Sequence, residues 1–76
     1  MKKIKINIKN FQTKKIIKII EKETDLNTYN ELIKELNIQL RDIIIFNEKK
    51  QTFISENNKI YNNDEITLFN TNGQVI

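Results

Sequence analysis

The 76-residue sequence predicts an α+β domain, a mixed sheet of four to five strands with one helix packed across it. Three observations carry the prediction. Residues 3–9, Lys-Ile-Lys-Ile-Asn-Ile-Lys, alternate strictly between polar and apolar, which is the period of a half-buried strand. A capped, amphipathic stretch begins at Thr28 and has the 3–4 spacing of a helix. Two later apolar runs, Ile43–Phe46 and Ile66–Phe69, are bounded by polar turn-forming residues and read as further strands.

The elements follow in order. In the first strand Ile4, Ile6 and Ile8 point one way and Lys3, Lys5, Asn7 and Lys9 the other. Asn10 to Thr13, polar around Phe11, reads as a hairpin turn, although it lacks glycine. Lys15 to Glu21 is rich in β-branched isoleucine and returns as a second strand, with a helix on Ile16, Ile19 and Ile20 as the competing reading. Lys22 to Asn27 is a polar connection. Thr28-Tyr29-Asn30-Glu31 fits a capping box, in which Thr28 accepts from the Glu31 amide and the Glu31 side chain reaches back. Tyr29, Leu32, Ile33, Leu36 and Leu40 then share one helical face, and Asn37 is placed to end a helix over 29–36 in the left-handed region. Ile43–Phe46 is apolar on both faces, the pattern of a central strand. A turn over 47–50 leads to a short strand at Thr52-Phe53-Ile54. The polar segment from Ser55 to Asp64 is expected to turn Ile60 and Tyr61 inward, and Asp64-Glu65 opens the last strand.

Composition narrows the chemistry. There is no Cys, His, Trp, Pro or Ala, and Gly73 is the single glycine. A domain this small buries only about 60% of its unfolded surface. No disulfide and no Cys/His zinc site can staple it, so it must fold on Ile, Leu and Phe burial alone or with help from a partner. Ser-His and Cys-His nucleophilic centres are excluded, and one glycine cannot form a phosphate-cradling loop. A carrier, binding or adaptor module is therefore expected rather than an enzyme, with no catalytic residue, metal or cofactor assigned. Lys5, Asn7 and Lys9 interrupt any signal-like apolar stretch after Met1, and no run is long enough to span a bilayer. The 16 Ile, 12 Lys and 12 Asn point to an AT-rich bacterial or organelle genome, and the absence of cysteine fits a reducing compartment, so a cytoplasmic location is expected, or an organelle stroma if an organelle encodes the chain. The net charge of +3 is uneven: residues 1–22 carry +7 and residues 23–76 carry −4.

The order and spacing of three stretches carry a family resemblance. Thr28-Tyr29-Asn30-Glu31-Leu32-Ile33-Lys34-Glu35-Leu36 is similar to a Thr-capped Glu-Leu-Leu helix. Ile44-Ile45-Phe46-Asn47-Glu48 is similar to a strand closed by an Asn turn. Asn63-Asp64-Glu65-Ile66-Thr67-Leu68-Phe69 is similar to an Asp-Gly-Asp turn and final strand, with Asn63 at the glycine position. Over most of its length the chain resembles the β-grasp, ubiquitin-like sulfur carriers of thiamine (ThiS-type) and molybdopterin (MoaD-type) biosynthesis. The resemblance implies a β-grasp fold and a protein that delivers sulfur as a C-terminal thiocarboxylate. Its implied partners are an ATP-dependent adenylating enzyme and a thiazole synthase. Such carriers end in Gly-Gly, which lets a tail without side chains thread a narrow channel. Here the end is Asn70-Thr71-Asn72-Gly73-Gln74-Val75-Ile76, and the glycine pair is absent.

The candidate carrier tail is thus Gly73, Gln74, Val75 and Ile76, with trimming to Gly73 as one route to a competent end. Asn72-Gly73 also reads as an ordinary two-residue hairpin turn. The sheet face left uncovered by the helix is a candidate partner surface; either Ile44 with Phe46 or Ile43 with Ile45 should face it, and the site is assigned to Ile44 and Phe46, with core beneath the 47–62 segment as the alternative. Lys3, Lys5, Lys15 and Lys18 are candidates for steering an acidic partner; lysines opposite isoleucines also suit any solvated strand. Two other functions stay open: a ubiquitin-like interaction module without carrier chemistry, and a small basic RNA-binding module. The RNA reading is disfavoured because no aromatic pair stands on a strand near the lysines. No membrane partner is expected.

Overall fold

The computed structural model describes residues 1–71. It contains five strands, β1 (Lys2–Asn10), β2 (Ile16–Thr24), β3 (Ile43–Asn47), β4 (Thr52–Ile54) and β5 (Glu65–Asn70), and one helix, α1 (Tyr29–Glu35). The strands form a single mixed sheet in the order β2-β1-β5-β3-β4. β1 and β5 run parallel, and every other neighbouring pair is antiparallel. The α+β class with one helix on a five-stranded mixed sheet agrees with the sequence reading.

Alternation in β1 does what the pattern requires. Ile4, Ile6 and Ile8 enter the core with Ile45, Ile66 and Leu68, and α1 closes that side with Tyr29, Leu32 and Ile33. Each fully buried aliphatic side chain of this kind contributes about 1.5–3 kcal/mol by leaving water. The capping box forms: Thr28 Oγ1 accepts from the Glu31 amide at 3.4 Å, and Glu31 Oε1 accepts from the Thr28 amide at 3.3 Å. Asn37 ends the helix at φ 61°.

Local chemistry replaces glycine throughout. In the first hairpin the Asn10 side chain accepts from the amides of Gln12 and Thr13 at 2.9 and 3.0 Å, and Lys14 takes φ 61°. Asn47 accepts from the Lys50 amide at 2.9 Å, with Gln51 at φ 54°. Asn63 stands at φ 68°, in the left-handed region that favours glycine.

Several expectations are corrected. Residues 16–20 are strand, as expected, but β2 continues through the anticipated connection to Thr24, because Ile4, Lys3 and Lys2 of β1 offer backbone partners to Lys22, Glu23 and Thr24. The helix stops at Glu35, so Leu40 is not on its face; Leu40 packs on the core from a separate 3-10 turn, Leu40–Asp42. The middle strand is β5, and the apolar run of β3 lies one place out, between β5 and β4. Tyr61 does not turn inward: it is 56% exposed, whereas Ile60 is buried.

Candidate functional site

The side of the sheet opposite α1 is built from the alternate residues of the same strands. β3 places Ile44 and Phe46 there, as expected, because Ile43, Ile45 and Asn47 are committed to the covered side. Register then adds residues that a one-dimensional reading did not single out. Phe53 of β4 lies opposite Phe46, with the rings edge to face and their centroids 5.0 Å apart. Phe69 of β5 lies opposite Ile44 and meets the Phe11 ring at 5.9 Å, also edge to face. The Lys14 ammonium sits 3.9 Å from the Phe11 ring centroid and 5.2 Å from that of Phe69. Phe53 is 58% exposed. The signal for Phe53 and Phe69 was their alternation with core-directed Ile54 and Leu68, which acquires meaning only once strand pairing is known.

The middle of this face is polar and closed. Thr67 and Asn7, register neighbours, are both buried. Thr67 Oγ1 donates to the Glu48 carboxylate, and Asn7 Nδ2 donates to Glu65 Oε2 at 3.1 Å. Each buried polar group thus has a partner, and burial carries no unsatisfied donor at these atoms. Beyond this band the face is charged. Lys5 stands between Glu21 and Glu65, and Lys3 stands opposite Glu23. An open groove of about 540 Å³ runs along this end, lined by both signs of charge, including Lys3, Lys5, Glu21, Glu23, Lys49 and Glu65.

The four candidate steering lysines do not form one patch. Lys3 and Lys5 point away from α1 but among glutamates. Lys18 pairs with core-directed Ile8, so it faces the helix side. Lys15 lies past the first hairpin turn, next in sequence to Lys14. A sequence-level excess of +7 over residues 1–22 is therefore dispersed by the pleat and by acidic neighbours on β2 and β5. The basic groups that do adjoin the aromatic residues are Lys9, opposite Phe69, and Lys14, over the Phe11 and Phe69 rings.

Chain exit adjoins the same patch. The Thr71 amide and hydroxyl both donate to the Asp42 carbonyl, at 2.8 and 3.0 Å, beside the β3–β5 pairing of Ile43 with Asn70. Gly73, Gln74, Val75 and Ile76, the candidate carrier tail, lie outside the described residues.

On the covered side, the loop over 55–64 is tied to the helix start. The Tyr29 and Asn30 amides donate to Asn58 and Glu56 carbonyls, and the Ile60 amide donates to the Asn27 carbonyl. The buried Tyr29 hydroxyl donates to Asp64 Oδ2 at 2.5 Å, and the Tyr61 amide donates to the same oxygen at 2.9 Å. Burial, reinforced by the hydrogen bond and charge of Asp64, raises the Tyr29 hydroxyl far above its ordinary value. The arrangement is structural: it locks the segment preceding β5 to α1. Among the described residues, no group of three or more acidic side chains is placed to hold a metal ion, and no helix is long and apolar enough to cross a membrane. No protein-family model and no curated protein matches the chain.

Proposed function

We propose that the chain is a β-grasp docking protein that seats a partner protein on the uncovered sheet face. The observation carrying this reading is the continuous apolar row of Ile44, Phe46, Phe53 and Phe69, with Lys9 and Lys14 along one rim. The strand order β2-β1-β5-β3-β4, its parallel β1–β5 pair and the helix on one face support placing the chain in the β-grasp class. A partner that fits offers apolar side chains at its centre and carboxylates at its rim, where they meet the lysines. The nucleic-acid reading gains less support: Lys3 and Lys5 lie among glutamates, and Lys14 already covers the Phe11 and Phe69 rings.

A second, more specific reading is favoured by where the chain leaves the sheet. Thr71 is anchored at the end of the face that carries Phe69 and Ile44, so the C-terminal residues begin beside any partner docked there. This suits a sulfur carrier of the thiamine type, whose terminal carboxylate is adenylated by ATP and then converted to a thiocarboxylate as sulfur displaces AMP.

Two measurements test these readings. Isotope-labelled protein titrated with an adenylating enzyme from the same genome should show perturbed amides at Phe46, Phe53 and Phe69; perturbation confined to the α1 side refutes docking through this face. Intact mass of the native protein tests the carrier reading. Truncation at Gly73, or the gain from one oxygen-to-sulfur exchange, supports it, and unmodified protein ending at Ile76 throughout rejects it.

A further inference from the structure

The two sheet edges differ in how far they invite another strand. β4 is three residues long, a length that protects an edge. β2 is nine residues long, contains no proline, and has β1 as its one hydrogen-bonded neighbour among the described residues. Its irregularity falls where Ile8 and Lys9 of β1 meet its first residues, leaving Lys18–Thr24 in regular register. Ile19 is 49% exposed. A long edge in regular register presents outward amides and carbonyls in the geometry of strand addition.

The side chains of β2 define what could lie beside it. Toward the α1 side are Lys18, Ile20 and Lys22; away from it are Ile19, Glu21 and Glu23. Lys22 is held by Glu35 at 3.1 Å, which neutralises it. Lys18 forms no ion pair among the described residues. A second copy of this chain fits poorly, because full antiparallel overlap of two β2 strands, centred on Ile20, sets Glu21 and Glu23 of each against Ile19 and Ile17 of the other and gives Lys18 no carboxylate.

We infer that an extended segment of a partner protein adds to β2 as an antiparallel sixth strand, reading basic, neutral, basic, apolar, apolar, acidic from its N-terminal side. In that register the two basic residues oppose Glu23 and Glu21, the apolar pair opposes Ile20 and Ile19, and the acidic residue opposes Lys18. The site is distinct from the aromatic face, and neither depends on the other.

The probe is a blocked peptide, Thr-Lys-Thr-Lys-Val-Val-Glu-Thr, titrated into the isotope-labelled full chain. Its control exchanges every Lys for Glu and the Glu for Lys. The matched peptide is net positive and the protein carries +3, so bulk charge alone favours the control. The register predicts the opposite order, with the matched peptide binding about tenfold tighter or more. Amide shifts should centre on Lys18–Thr24, and N-methylation of the peptide amides that face β2 should abolish binding. Equal binding of the two peptides, tighter binding of the control, or unchanged binding after N-methylation overturns the proposal. Shifts mapping to Phe46, Phe53 and Phe69 overturn it too, as does peptide-independent protection of β2 in a concentration-dependent dimer.

Discussion

On the α1 side of the sheet, Ile6, Ile66 and Leu68 are closed off from solvent against Leu32 and Ile33. On the other side, their sequence neighbours Asn7, Thr67 and Phe69 share a surface with Phe46, the exposed Phe53 and several charged groups. Adjacent residues of one strand thus serve different ends. The covered side is mainly aliphatic, with Tyr29 among its isoleucines and leucines, and supplies the transfer free energy that folds a small chain without disulfide or metal. The uncovered side keeps a hydrogen-bonded polar centre and gathers its aromatic rings toward one end, an arrangement better suited to contact than to core formation.

Substitutions separate the two sides, and the largest effect should come from the core. Leu32→Ala is expected to cost about 2–5 kcal/mol, a large share of the total stability of so small a domain, read as a lowered urea midpoint. Tyr29→Phe should cost about 1–2 kcal/mol, because it removes the bond to Asp64 while the Tyr61 amide still engages that carboxylate. The same variant carries a pH signature. The folded tyrosine holds its proton above the ordinary value of 10.0, where the unfolded chain releases it, so the contribution is complete below that pH and lost above it. Alkaline melts should therefore fall by up to about 1.4 kcal/mol per pH unit more steeply in the wild type than in Tyr29→Phe. Thr28→Ala, which breaks the capping box, should cost about 1 kcal/mol in the same denaturation assay. Phe53→Ser should change stability least, by about 0.5 kcal/mol or less, yet weaken partner docking. If Phe53→Ser instead unfolds the protein as Leu32→Ala should, the distinction between the sides fails.

Much of the covered side was legible in the chain. Strict alternation placed Ile4, Ile6 and Ile8 inward, and Thr28 with Glu31 marked the helix start, because both signals depend on residues a few positions apart. Asn37 and Asn63 were legible as glycine substitutes, since asparagine tolerates the left-handed region. The end of β2 and the position of Tyr61 were not. Lys22, Glu23 and Thr24 look like a connection until β1 supplies their backbone partners, and Tyr61 has no periodic neighbour to reveal its side. The uncovered face was half legible: alternation leaves either Ile44 with Phe46 or Ile43 with Ile45 facing outward, the packing of Ile45 on the core selects the first pair, and Phe53 and Phe69 join it through pairings with β3.

Residue order alone therefore determined the class of elements, the helix cap, the aliphatic core stripe and the absence of cysteine and histidine chemistry. These are consequences of side-chain type and short-range period. Tertiary structure decided which strand is central, which aromatic residues meet, and how the basic N-terminal third is dispersed among glutamates from β2 and β5. Those properties depend on long-range strand pairing, and the register of a pair is a property of two segments at once.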